Sequence, residues 1–228
     1  LLGINAVMSG VAKRRNRWQA AVDHLQALDS QWVARIGRVG GCELRPRKDR
    51  FGTLVRAIIG QQISTKAAAT IDARLRALSD DGQHRPDRLL SLGETALRSA
   101  GLSGVKASYV LSLSDAVLSG RLTLNRAGYW TDEEVVQRLT EVRGIGRWTA
   151  EMFLIFALNR PDVLPVGDLG VRVGIRNHFG LTDLPGPLEC RTLTEPWRPF
   201  RSVAMWYLWR DLDTPVPQTA VETLDPPV

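Results

Sequence analysis

The chain has 228 residues, 44% of them hydrophobic, with a formal net charge of +6 and a sequence pI near 9.9. That length supports one large domain or two small ones on a shared core, and the basic balance favours an anionic partner such as nucleic acid or an acidic membrane surface. Charge alone also fits, less well, a basic protein that binds neither. A membrane span is excluded, because no stretch reaches the roughly 18 apolar residues one needs. No disulfide framework is suggested: the 2 cysteines, Cys42 and Cys190, lie far apart and have no metal-ligand spacing. His24, His84 and His178 are dispersed. These features fit a reducing, intracellular compartment, cytoplasmic or nucleoid, or nuclear in a eukaryote.

Residues 1–16 place a basic cluster after an apolar start, the reverse of a secretory signal, and read as a disordered extension. Helical periodicity follows. Trp18, Ala21, Val22, Leu25 and Leu28 share one face, and Phe51, Leu54, Val55, Ile58 and Ile59 repeat at helical spacing. Thr65 to Leu78 continues the pattern, as does Lys106 to Leu118 with Tyr109, Val110, Leu113 and Val117. Thr131 and Glu134 form a capping-box pair for a helix through Leu139. Further helices are expected over Arg147–Leu158, Leu169–His178 and Phe200–Arg210. Two-residue alternation is almost absent, so no strands are expected and the fold class is all-α. The proline-rich residues 213–228 read as an irregular tail.

Positions 142–151 read VRGIGRWTAE. A helix ending near Thr140, a turn at Val142–Gly146 and a helix from Arg147 make a helix–hairpin–helix. Gly144 and Gly146 can take positive φ and expose backbone N–H groups at the positive end of the second helix. That is a small anion cradle, suited to a phosphate without reading any base. Arg143 and Arg147 add charge. An ordinary interhelical turn has the same glycines.

LPVGDLGVRVG, 164–174, supplies the second feature. Asp168 precedes a helical pattern and serves as an N-cap. In a DNA-binding context a carboxylate there also suits a cleavage reaction. Breaking an N-glycosidic bond develops positive charge on the sugar, which a fixed anion stabilises while it orients the attacking water. The two roles are compatible, because N–H donors favour the charged form of a carboxylate.

With the hairpin and Asp168 in place, the chain resembles the helix–hairpin–helix DNA glycosylases. Within them it is most similar to the alkylation-repair branch, the 3-methyladenine DNA glycosylase II enzymes. FGTLVRAIIGQQIS (51–64), GLSGVKASYVLSLSDAVLSG (101–120), LTEVRGIGRWTAEMFLIFAL (139–158), DVLPVGDLGVRVG (162–174) and WRPFRSVAMWYLW (197–209) carry the resemblance, in the family's order. It spans roughly residues 17–212. It implies excision of alkylated bases of the 3-methyladenine and 7-methylguanine type from duplex DNA by base flipping, in base excision repair, by a monomer with no membrane partner. The alternatives are a non-catalytic DNA-binding module, in which Asp168 only caps a helix, and a glycosylase for oxidised or mismatched bases.

Site roles follow from the resemblance residue by residue. Strand-cutting relatives carry a nucleophilic lysine two residues after the second hairpin glycine; here that position is Trp148, which implies a monofunctional enzyme using water. The clustered cysteines of iron–sulfur relatives are missing, so no such cofactor is expected. Asp168 is the catalytic carboxylate. Gln62 fills the gap left by a flipped nucleotide, with Gln61 and Ile63 supporting; a polar loop residue is the plainer alternative. Gly144, Ile145, Gly146, Arg143 and Arg147 hold DNA, with Lys66, Lys106 and Arg172 along the phosphate track. Trp148 and Trp209 line the base pocket, where aromatic faces attract a cationic base. Helix tryptophans more often belong to a core, and Trp206 is the weaker pocket candidate. Met152 and Leu169 stand where some relatives have aromatics, which implies a more open pocket. Some relatives hold a monovalent Na+ or K+ through hairpin carbonyls, here those of Thr140, Val142 and Ile145.

The implied architecture is two helical lobes flanking a DNA-binding cleft. Residues 51–160 form the central lobe with the hairpin, and 17–50 with 161–212 form the terminal one. With helices beginning by Trp18, no N-terminal β domain is expected.

Overall fold

The structure is a computed structural model, and it describes residues 17–213. The expectations for residues 1–16 and for the tail lie outside that range, apart from Asp213, which ends the last helix. Among the described residues the chain is all-helical, with no strand.

Polar caps set most helix starts, each contributing about 1 kcal/mol. α1 (Gln19–Leu28) leads into α2 (Ser30–Val39), whose N-cap Asp29 accepts from Trp32 N–H at 3.0 Å. Asp49 caps α3 (Arg50–Gly60) and Ser64 caps α4 (Thr65–Arg76). α5 (Pro86–Ser99) begins on a proline and breaks at Gly93, where φ is +70°. Ser103 caps α6 (Gly104–Leu118), and a 3-10 turn over Leu124–Tyr129 follows. α7 (Asp132–Thr140) carries the expected capping box, with Thr131 and Glu134 bonding reciprocally. α8 (Arg147–Phe156) starts at the hairpin. α9 (Leu169–Phe179) is capped by Asp168 and stopped by Gly180 in the left-handed region. α10 (Pro187–Leu193) and α11 (Arg201–Asp213) are the last α-helices among the described residues.

Three helices lie outside the sequence expectations: α2, α5 and α10. α2 follows α1 across the single residue Asp29, so the two read as one stretch. α5 and α10 are flanked by Pro and Gly, which mark breaks in sequence but here sit at helix starts, where proline's missing N–H costs nothing.

α3 is the hub of one group, packing on α4, α6 and α8, while α5 packs on α6 and α7 on α8. α1, α2 and α9 gather on α11 in the other. One continuous apolar core runs through both, from Trp18 and Leu25 through Leu54, Ile58 and Phe153 to Ile175 and Tyr207. The segment that crosses between the groups is fastened at the start of α11. Arg201 forks onto Asp162 at 2.6 and 2.9 Å, and Ser202 Oγ accepts from Val163 N–H at 2.9 Å. This fixes the loop that delivers Asp168.

No helix among the described residues is long and apolar enough to cross a membrane.

Candidate active site

The hairpin between α7 and α8 is held from inside. Val142 and Ile145 are buried, and Ile145 N–H donates to Val142 O at 3.0 Å. Gly144 has φ +89°, and a Cβ there would fall 2.0 Å from Tyr109 Cγ. Only glycine satisfies both the turn and the tyrosine packed on it. Gly146 differs from expectation: its φ is −91°, the extended geometry of an N-cap, so it does not need positive φ. A Cβ on it would meet open space, so glycine here leaves the approach clear. The N–H groups of Gly144 and Gly146 make no hydrogen bond within the described residues. They stand at the positive end of α8, as an anion cradle requires.

The loop after α3 abuts this hairpin. Gln61 Nε2 donates to Gly144 O and Thr149 Oγ1, both at 3.1 Å, so Gln61 braces the turn. Lys106 Nζ donates to Ile59 O and Gln61 O, each at 2.7 Å. Lys106 therefore caps α3; partial burial pushes its ammonium pKa down. Gln62 projects from the braced loop. It is exposed and has φ +56°, a left-handed conformation that non-glycine residues seldom hold. Ile63 beside it is 38% exposed.

Asp168 lies across from the hairpin at the N-terminus of α9. Its Oδ1 accepts from Val171 N–H at 2.8 Å, the capping bond. Two indoles complete its shell: Trp148 Nε1 donates to Oδ2 at 2.8 Å and Trp209 Nε1 to Oδ1 at 3.0 Å. Trp148 is on the first turn of α8 and Trp209 near the end of α11, so three helices converge on one carboxylate. Asp168, Trp148 and Trp209 are each partly exposed. Phe156 lies two turns along α8 from Trp148 and packs on Trp209 with ring centroids 5.7 Å apart.

Two glycines make this convergence possible. A Cβ on Gly174 would sit 2.8 Å from Leu208 Cβ, so its absence lets α9 and α11 pack closely. A Cβ on Gly170 would sit 3.1 Å from Asp168 Oδ1 and 3.2 Å from Trp209 Cδ1. Sequence reasoning passed over both, although their four-residue spacing puts them on one face of α9.

The profile of the HhH-GPD superfamily, described as base excision DNA repair proteins, matches residues 55–199. The chain belongs to this family. It is 37% identical over 194 residues to DNA-3-methyladenine glycosylase 1 of Schizosaccharomyces pombe, covering 82% of this chain and 84% of that protein. It is 30% identical over 187 residues to DNA-3-methyladenine glycosylase 2 of Escherichia coli, covering 76% and 63% of the two. Among solved structures, the Schizosaccharomyces pombe 3-methyladenine DNA glycosylase in complex with abasic DNA superposes with TM-score 0.77 at 36% identity, covering 84% of this chain and 95% of that one.

Within this HhH-GPD fold several expected residues lie elsewhere than the sequence implied. Arg147 donates to Glu133 at 3.0 and 3.2 Å and to Glu151 at 3.2 Å, so its charge is largely met within the protein. Glu133 holds the Arg147 pKa up, and burial pushes the Glu151 carboxyl up to about 6 against the opposing pull of Arg147. Arg143 is exposed and makes no ion pair among the described residues. Arg172 donates to Pro185 O at 2.9 Å and so fastens a loop; Lys66 stays exposed. Ile145 anchors the hairpin in the core, with its N–H already used. Met152 is 6% exposed and Trp206 7%, both within the core, whereas Leu169 is 64% exposed.

Proposed function

We propose that this protein is a monofunctional DNA glycosylase that hydrolyses the N-glycosidic bond of alkylated bases, of the 3-methyladenine and 7-methylguanine type, in duplex DNA. Support comes from the likeness to glycosylases so named. The observation that carries the chemistry is the Asp168 carboxylate, held by two indole N–H groups at the mouth of α9 and still partly open to solvent.

The steps follow from the geometry. The free N–H groups of Gly144 and Gly146, with Arg143, take a backbone phosphate. Gln62, presented on a loop that Gln61 and Lys106 brace, enters the stack as the damaged nucleotide rotates out. The faces of Trp148 and Trp209 attract the cationic base, a contact worth about 0.5–2 kcal/mol. Their N–H edges are occupied by Asp168, so they offer the base only π surface. A cationic base departs without a general acid. As the C1′–N bond lengthens, Asp168 faces the positive sugar: unit charges about 4 Å apart at an effective dielectric near 20 attract by about 4 kcal/mol, on the order of a thousandfold in rate. Water then adds to C1′ and loses a proton to Asp168 or bulk solvent, giving the free base and an abasic site. The Trp148 side chain has no nucleophile, so no Schiff base forms.

The hairpin also retains acceptors for a monovalent cation. The carbonyls of Thr140 and Ile145 accept no hydrogen bond within the described residues, and Val142 O accepts one. These three oxygens would hold Na+ or K+ and bring its charge to the phosphate.

The direct test is release of 3-methyladenine and 7-methylguanine from methylated duplex DNA. Release without strand cleavage and without a borohydride-trapped adduct is expected. No release, or a trapped covalent complex, contradicts the proposal.

A further inference from the structure

α3, α6 and α8 run between two faces of the molecule. One face holds Gln61 after α3, the start of α6 and Gly146 before α8, tied together by Lys106 and Gln61. The opposite ends, Arg50, Leu118 and Phe156, meet at the other face. These helices, of 10 to 15 residues, separate the faces by about 15–22 Å.

At this second face lies an open groove of about 850 Å3, walled by the 46–51 segment, the end of α6 and the turn after it. Gly120, Leu122 and Thr123 also line an adjoining concavity of about 250 Å3. The combined lining is basic, with Lys48, Arg50, Arg121, Arg126 and Arg138 among its residues. Lys48 and Arg126 are exposed and have no carboxylate partner among the described residues. Arg50 spends its hydrogen bonds on Leu124 O and Asn125 O, at 2.7 and 2.9 Å, and keeps its charge. The acids present are Asp49, 3.6 Å from Arg56, Glu141, and Asp115 paired with Arg121. Aromatic surface adjoins the charge: Arg138 lies 4.6 Å from the Trp130 ring centroid, and Tyr129 is 90% exposed. A tyrosine that far in water packs nothing.

Basic groove walls, with cations that lack carboxylate partners, suit a phosphodiester backbone. We propose that this groove binds a second duplex DNA segment, distinct from the one at the candidate active site, so that one protein bridges two segments and passes between them. The choice of DNA as occupant rests on the proposed function. To reach both faces one duplex would have to turn sharply within about 15–22 Å, which its stiffness opposes.

The test saturates the protein with a short unlabelled duplex carrying an abasic-site analogue, then titrates a fluorescent undamaged duplex at low salt. The second duplex is expected to bind, with affinity falling steeply as salt rises. The Lys48→Glu/Arg126→Glu variant should lose at least tenfold in that affinity, with single-turnover base release from a short methylated duplex within twofold of wild type. Lys48→Arg/Arg126→Lys should retain both. No second duplex on the saturated protein, or unchanged affinity after charge reversal, overturns the proposal. So does polyglutamate displacing the second duplex as well as DNA of equal charge, which would make the groove a dock for acidic polypeptides. Second-duplex binding with no base release from the wild type would instead sink the glycosylase reading and leave the groove assigned.

Discussion

Trp209 donates its indole N–H to Asp168 Oδ1 at 3.0 Å, from the opposite side to Trp148. The ring gives its edge to the carboxylate, and under the proposed function its face is left for the base. Trp209→Phe keeps the face and removes the edge. A hydrogen bond to a charged group is worth about 1.5–3 kcal/mol. Base release under single turnover should fall about tenfold to a hundredfold, with affinity for duplex DNA unchanged. An unchanged rate would mean the bond does not position the carboxylate.

Gly170→Ala probes the same relationship without touching either partner's chemistry. Alanine favours a helix over glycine by about 1 kcal/mol, so the melting temperature should hold or rise. The new Cβ would crowd Asp168 Oδ1 and Trp209 Cδ1, at 3.1 and 3.2 Å. Base release should therefore drop about tenfold in a protein that is no less stable. Parallel loss of stability and activity would instead point to a general packing defect.

Much of this was legible in the sequence, but unevenly. The VRGIGRWTAE turn and the Asp168 cap were readable because their function depends on local backbone geometry, which glycine spacing and capping residues report directly. The protein partners of Lys106, Arg147 and Arg172 were not legible, because Gln61 O, Glu133 and Pro185 O are distant in sequence or come from another element. The indole shell of Asp168 was invisible for the same reason: Trp209 is 41 residues away. The glycines that admit Trp209 were readable as a spacing, yet only packing against α11 gives that spacing a meaning.

Lys106→Met tests the brace under Gln62. It removes two charge-assisted bonds and leaves Ile59 O and Gln61 O without their donor. Denaturant melts should show a loss of about 1–3 kcal/mol. Excision should fall more for a lesion in a well-paired duplex than for one opposite a mismatch, where extrusion costs less. Equal losses on both substrates would detach the loop from flipping.

A buried histidine makes stability depend on pH. His178 sits between Arg35, whose Nη1 lies 2.6 Å from Nδ1, and Asp29, whose Oδ2 lies 3.1 Å from Nε2, while Arg35 also bonds Asp211. Arg35 can only donate, so Nδ1 accepts and the ring is neutral with Nε2–H facing Asp29. Burial, with Arg35 adding to it, lowers the His178 pKa below its ordinary 6.5. The unfolded chain takes this proton at higher pH than the folded one. Stability is therefore full above about pH 6.5 and declines as pH falls below it. Thermal melts between pH 7.5 and 5 should show that decline, and His178→Asn, less stable overall, should flatten it. A wild-type melt flat over the same range would contradict this reading.

The most direct measurement compares wild type and Asp168→Asn under single turnover on a duplex carrying 7-methylguanine, with binding to an abasic-analogue duplex measured in parallel. The substitution keeps an acceptor for the Val171 cap and removes the charge. Release should fall by about a thousandfold or more, with duplex affinity within threefold of wild type. Release near the wild-type rate would contradict the assignment of Asp168 as the group that stabilises the sugar cation.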